Sequence, residues 1–230
     1  LVDWSNSLAN SICFGIYSLT MPTSRRQERI NQVLVNRQGD LRVVLEDVVN
    51  THNASAVVRT CEAAGIMYVD VIYNQPRTFP VNEAISTRAE KWLAINLYSS
   101  TRECLLSLQA KGFLIAATAL SPEAMPYTEV DFTQKLAIVF GNEAEGISPL
   151  AREMADFLIK IPMRGMVQSL NLSVSVGIIL FEALRQRHQE NNWSQHRLTP
   201  KEIEFFTRKW LQVRGKKKEG EGRTPSPSRE

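Results

Sequence analysis

The 230-residue sequence has too little cysteine, too sparsely placed, for a disulfide framework or a structural zinc site. Cys13, Cys61 and Cys104 cannot all pair, and none stands at metal-ligand spacing from another. That usage fits a reducing, cytoplasmic compartment, and no metal is expected. Long apolar runs are also missing. Stretches such as GIILFEAL (177–184) are too short and too interrupted to span a bilayer, so no membrane partner is expected. No G-x-G-x-x-G follows the first strand-like run and no G-x-x-x-x-G-K-[ST] occurs, which argues against a Rossmann site and a phosphate loop. There is no G-x-S-x-G elbow, and His52, His188 and His196 do not suggest a hydrolase triad.

Charge of one sign is scarce on average, with 27 Lys and Arg against 24 Asp and Glu. Its distribution is uneven. Arg25, Arg26, Arg29 and Arg37 lie near the start, Arg185 and Arg187 close a late helix, and Lys216, Lys217 and Lys218 form a run near the end. Cations clustered at both ends of a nearly neutral middle suit a polyanion such as a nucleic acid. Solvated helix faces would give the same pattern, and charge alone does not choose between them.

A composition of 43% hydrophobic and 22% charged residues fits one α/β domain with short additions. Residues 1–20 lack a starting Met and a basic n-region, and Met21 reads like a natural start. These twenty residues are expected to be a leader outside the fold. Residues 21–40 are assigned to a basic N-terminal helix, 41–190 to the main domain, 191–214 to a helical extension and 215–230 to a disordered tail. Within the main domain, LRVVLEDV, MYVDVIY, LAINLYS, FLIAATAL, KLAIVF and FLIKIP read as strands. NASAVVRTCEAAG and TRECLLSLQAKG read as helices ending in Gly. LNLSVSVGIILFEALRQR reads as a long helix, apolar nearly all round and therefore buried, and a shorter helix follows at about 200–213. The alternation predicts a largely parallel sheet with helices on both faces. Ligands on such sheets bind beyond the carboxyl ends of the strands.

Three loops carry candidate chemistry. In HNASAVVRT, Asn53 stands at the helix start and Arg59 inside it, where a cation on a small-residue face can reach a phosphate or a developing oxyanion. Alternatively, Asn53 is a helix cap and Arg59 a surface charge. In FGNEAEGIS, Gly141 and Gly146 bracket Glu143, which suits a tight turn with backbone groups facing a ligand, or an ordinary strand-to-helix turn. In IPMRGMVQSLNLSVSVG, polar Gln168, Ser169 and Asn171 precede an apolar helix and need partners that a ligand can supply, unless they only cap the helix. Ser173 and Gly177 leave a shallow strip where another backbone can approach.

Together the three segments, in this order and separation, resemble the motifs of the SpoU/TrmH branch of the SPOUT methyltransferases. The resemblance covers residues 24–213, and its third motif is long and specific. It implies a deep C-terminal trefoil knot, a homodimer, and S-adenosyl-L-methionine held in the knot near Thr118, Gly141, Ile161 and Leu170. It implies Arg59 as the catalytic residue, with Asn53 fixing Arg59 and the ribose, Asn171 holding the loop or Arg59, Glu143 ordering the second loop, and Ser169 in the same pocket. Within the branch the chain looks closest to the members that methylate a tRNA ribose at guanosine 18 of the D-loop. Methylation of ribosomal RNA or of another tRNA position is the alternative, and a non-catalytic RNA-binding protein of the same fold is a third reading. For phosphate contact the expected residues are Arg25, Arg26, Arg29, Arg37, His52, Arg185 and Arg187.

Overall fold

A computed structural model describes residues 24–75, 78–189 and 193–212. The expected leader, with Cys13, and the expected tail, with its lysine run, lie outside the described residues. Seven strands form one sheet: β1 (Gln38–Glu46), β2 (Ile66–Ile72), β3 (Ala94–Tyr98), β4 (Leu114–Thr118), β5 (Met125–Pro126), β6 (Leu136–Phe140) and β7 (Phe157–Lys160). Their order is β3-β2-β1-β6-β4-β7-β5, and every ladder is parallel. The parallel α/β sheet expected from the alternation is therefore present. Only the two-residue β5 has no counterpart among the expected strands.

The helices are α1 (Ser24–Leu34), α2 (Thr51–Ala63), α3 (Glu83–Ser86), α4 (Thr101–Ala110), α5 (Pro149–Met154), α6 (Leu172–Gln189) and α7 (Pro200–Gln212). Strands covered on both faces must be apolar on both. In β1, Leu41, Val43 and Leu45 join the core that includes Val57, Val58, Val176 and Leu180 of α2 and α6. Val44 joins the opposite core, with Cys104, Leu105 and Leu108 of α4. A third cluster ties α1 to α7 through Ile30, Leu34, Phe206 and Trp210. Helix α2 ends at Ala64, and Gly65 follows with φ +72°, the left-handed turn read from the sequence.

Two of the arginines assigned to RNA are structural. Arg37 is 1% exposed. Its Nη1 donates to Glu62 O and Ile66 O, its Nη2 to Glu62 Oε1, and its guanidinium lies 5.5 Å from the centre of the Trp210 ring. Arg187 is fully buried. It donates from Nε to Phe132 O, from Nη1 to Gln38 Oε1 and Asp40 Oδ1, and from Nη2 to Gln134 O, clamping the end of α6 to the start of β1. Arg185, two residues away, is exposed and bonds Glu182 and Gln189. Residues two apart on a helix point about 200° apart, so a pair adjacent in sequence has one member inward and one outward.

Helix α6 is not buried all round. Val176, Ile179, Leu180 and Ala183 are buried, while Val174 is 47% and Phe181 54% exposed. The small strip does not stand open either: a Cβ on Gly177 would meet Thr60 Cγ2 of α2 at 3.8 Å. Replacing Arg187 removes a donor from Asp40, from the Gln38 side chain and from the Phe132 and Gln134 carbonyls. Arg187→Ala is expected to cost about 3 kcal/mol in urea unfolding, against less than about 0.5 kcal/mol for Arg185→Ala.

Candidate active site

Strands β6, β4 and β7 are neighbours, so the loops that leave their carboxyl ends meet. These are residues 119–124, 141–148 and 161–171. Between them lies a cavity of about 450 Å³, within the range that holds a cofactor-sized molecule. Thr118, Gly141, Ile161 and Leu170, the residues expected beside the cofactor, all line it. So do Asn53, Glu143, Ser169 and Asn171. Arg59 does not.

The second loop is a closed hairpin. Asn142 N donates to Gly146 O and Gly146 N to Asn142 O, each at 2.9 Å. The Asn142 side chain accepts from Ala144 N and Glu145 N and donates to Asp47 O at 2.8 Å. A Cβ on Gly141 would stand 2.1 Å from the Gly146 carbonyl carbon, so the fold-back requires glycine there. Sequence reading picked out the two glycines and passed over Asn142, although an Asn whose side chain accepts from the backbone two residues on is a common turn staple.

One run of hydrogen bonds joins α2 to the second and third loops. Asn53 Nδ2 donates to Glu143 Oε1 at 3.0 Å, and Asn50 N reaches the same oxygen at 3.3 Å. Asn171 Nδ2 donates to Asn53 Oδ1 at 2.8 Å. Asn171 Oδ1 in turn accepts from Ser173 N and Ser173 Oγ at the start of α6. The helix cap of α2 is Asn50, which accepts from His52 N and Asn53 N, so the Asn53 side chain is released for this role. Within this chain neither Asn53 nor Asn171 bonds Arg59; Asn171 instead holds Asn53 and the first turn of α6, in keeping with the loop-holding half of its expected role. Six residues separate Asn53 from Arg59, about 9 Å along the helix. Arg59 is exposed, with no polar partner among the described residues.

A buried carboxylate secures the far side of the second loop. Glu46, at the end of β1, is 1% exposed. Its Oε1 accepts from Thr101 Oγ1 and Ser148 Oγ, and its Oε2 from Ser148 N at 2.8 Å. Inside LRVVLEDV it looked like an ordinary polar position of a strand, and nothing in that stretch marked it as buried. The first loop is pinned by Lys160 Nζ, which donates to Ser121 O and Pro122 O. Thr118 Oγ1 donates to Val139 O, tying the ends of β4 and β6.

Neither cysteine among the described residues is suited to act as a nucleophile. Burial pushes the Cys61 thiol up to about 12 and also raises Cys104, so neither presents a thiolate at neutral pH. Among the described residues no group of three or more His, Cys, Asp or Glu could hold a metal ion, and no helix is long and apolar enough to cross a membrane. Of the residues assigned to RNA, Arg25, Arg29, His52 and Arg185 are exposed, and Arg26 donates to Trp210 O from a half-buried position.

A ligand cavity built from strand-end loops of a parallel sheet places the protein among α/β enzymes that bind small molecules at that edge. Residues 40–181 match the model of the SpoU rRNA Methylase family, and the chain belongs to that family. A tRNA (guanosine(18)-2'-O)-methyltransferase of Aquifex aeolicus is 42% identical over 186 residues, 81% of this chain and 88% of the relative. The crystal structure of an A. aeolicus TrmH/SpoU tRNA modifying enzyme superposes with a TM-score of 0.77 at 42% identity, covering 81% of this chain and 95% of that one. An AdoMet-bound rRNA methyltransferase from Sinorhizobium meliloti superposes with a TM-score of 0.58 at 26% identity, covering 68% of this chain and 59% of that one.

Glu46→Ala leaves the Ser148 amide and hydroxyl without an acceptor, while the Thr101 hydroxyl keeps Asn74 Oδ1, and should cost about 2–3 kcal/mol. The Ser148 amide should then exchange with deuterium much faster than the amides of β6, measured on the native protein.

Proposed function

We propose that the chain is an S-adenosylmethionine-dependent RNA 2′-O-methyltransferase acting on tRNA at guanosine 18. The observation that carries this reading is the shared cavity, which brings Asn53, Glu143, Ser169 and Asn171 together with Thr118, Gly141, Ile161 and Leu170. The names of the relatives point the same way.

The cavity fits the cofactor. Phe140, Ile161 and Leu170 offer apolar walls for a flat base. Gly141 lets backbone approach closely where any side chain would collide with Gly146. Glu143 and Glu145 place carboxylates on the lining, suited to a cationic centre. When bound, S-adenosylmethionine supplies a methyl group activated by its sulfonium.

The residues of the chain then have to present the ribose in line with that methyl. The 2′-oxygen forms the new C–O bond as the C–S bond breaks, and the hydroxyl proton passes to solvent. Guanidinium groups keep their proton in proteins. Arg59 therefore acts as a cation that stabilises the 2′-alkoxide as it forms, rather than as the base that removes the proton. Holding both reactants in line supplies much of the remaining acceleration. The run from Glu143 through Asn53 to Asn171 fixes the walls against which the ribose is placed.

Arg59 lies off the cavity of its own chain, and this supports a homodimer in which it serves the partner's cavity. Exposed Val174 and Phe181 on α6, with Met166, Val167 and Leu170 on the third loop, supply an apolar face for that pairing. The proposed trefoil knot is supported by strand order. β7 lies between β4 and β5, strands consecutive in sequence, so the segment linking those two must pass across it. In this reading Arg25, Arg26, Arg29, His52 and Arg185 contact phosphates from α1, α2 and the end of α6. The segments 21–40 and 191–214 then act as RNA-facing additions to the domain, and the place of action is the cytoplasm.

Labelled methyl should pass from S-adenosylmethionine to bulk tRNA and map to the 2′-oxygen of guanosine 18. A label on another nucleotide or on ribosomal RNA alone would favour the alternative substrates, and no transfer with intact RNA binding would favour a binding protein. Arg59→Ala should lower the transfer rate by about 10²–10³ with cofactor affinity unchanged by calorimetry. A matching loss of cofactor affinity would contradict the assigned role. Phe181→Glu should convert a dimer to a monomer by light scattering, while a monomeric wild type would refute the pairing.

A further inference from the structure

A second cavity, of about 440 Å³, lies between the edge strand β3 and helix α7, toward the amino-terminal ends of β2 and β3. It is at the opposite end of the sheet from the cofactor cavity, and none of the three loop motifs reaches it.

Helix α7 lays a regular stripe along this groove. Lys201, Phe205 and Lys209 are spaced four residues apart, so they share one face at intervals of about 6 Å, and all three line the cavity. Phe205 is 60% exposed and touches Phe206 edge-on, with ring centres 5.1 Å apart. Its neighbour Phe206 is buried against Tyr68 and Trp210. The stripe is therefore not needed to hold α7 in place. Lys201 and Lys209 are exposed, with no ion-pair partner among the described residues. The one carboxylate in the groove is already occupied. Glu202 Oε1 accepts from Tyr68 OH, and Oε2 accepts from Thr199 N and Oγ1.

An open aromatic ring between two unneutralised cations is the combination that single-stranded nucleic acid uses, with a base on the ring and phosphates on the cations. It is poorly suited to a protein partner, because lysine is depleted from the centre of protein interfaces. We propose that this groove binds an unpaired nucleotide of the RNA substrate, its base stacked on Phe205 and its flanking phosphates on Lys201 and Lys209. The site rests on the RNA reading above and adds a contact at the opposite end of the sheet from the catalytic cavity. Stacking accepts any base, so the site anchors an unpaired segment without reading its identity.

The test uses the full chain and a tRNA transcript, titrated by fluorescence anisotropy at several salt concentrations. Phe205→Ala should weaken binding about tenfold, and Phe205→Trp should restore it. Lys201→Gln with Lys209→Gln should lower the slope of log affinity against log salt by about 1.4, the value for two single-strand phosphate contacts. Affinity for S-adenosylmethionine should stay at the wild-type value in every variant, which also verifies folding. Wild-type affinity and slope in both the Phe205→Ala and the double-lysine variants would overturn the proposal while leaving the methyltransferase reading intact. The proposal also falls if Phe205→Ala changes the oligomeric mass and not the RNA affinity, since the groove would then be an interface between copies. A wild type that binds no tRNA at all would overturn the RNA reading and this site together.

Discussion

The amide of Asn53 is the hinge on which the catalytic end of this molecule turns. It donates to a carboxylate of the second loop and accepts from an amide at the start of α6, so one side chain on α2 sets the relative position of two loops far apart in sequence. Each partner is fixed from behind. Glu143 also takes the Asn50 amide, and Asn171 also caps the first turn of α6. Such a chain works only when complete, because an amide or carboxylate left half-paired at a partly buried position loses much of what it contributes. Glu46 plays the matching role on the other side of the second loop, so that loop is held through its own Glu143 on one side and by a carboxylate from the end of β1 on the other. The cavity is thus a product of long-range polar contacts laid over a hydrophobic sheet, together with the hairpin that the second loop closes on itself.

Cations divide into two populations with opposite duties. Arg37, Arg42 and Arg187 are buried and turn their Nη groups to carbonyls and carboxylates within the chain. Arg42 faces Asp70 at 3.1 Å and stacks over Tyr68, with its ring centre 4.2 Å away. These groups hold β1 to its neighbours and to the helices around it. Arg25, Arg29 and Arg59 are exposed and keep their donors for something outside the chain. A modest net charge conceals this division, and a nucleic acid would meet only the second population.

Most of the fold was legible in the sequence, because hydrophobic period and glycine punctuation act locally. The apolar runs at 41–46, 66–72, 136–140 and 157–160 became parallel strands, and Gly65 and Gly112 took the left-handed conformations that end helical segments. The residues that line the cavity were named through the resemblance of the three motifs to a known family, because spacing alone does not report which loops meet. What stayed hidden depends on which way a side chain points within an element of known type. Arg187 and Arg185 are equivalent by composition and differ only by rotation about the helix axis. Glu46 was passed over because its partners, Ser148 and Thr101, lie in other segments, as does the Asp47 carbonyl that Asn142 bonds, and no local pattern announces a long-range hydrogen bond. The exposed face of α6 was misread for a related reason: an apolar helix gives the same sequence signal whether its own chain or a second molecule covers it.

The placement of β7 has a consequence for how the chain can be assembled during synthesis. Residues 157–160 emerge from the ribosome after β4, β5 and β6, yet they occupy the slot between β4 and β5. Until they arrive, that edge of the sheet has a gap, β5 has no ladder, and the segment 119–124 lacks the lysine that anchors it. Strand insertion and closure of the binding cavity are therefore a single late event, and a nascent chain that stops before Lys160 can hold neither.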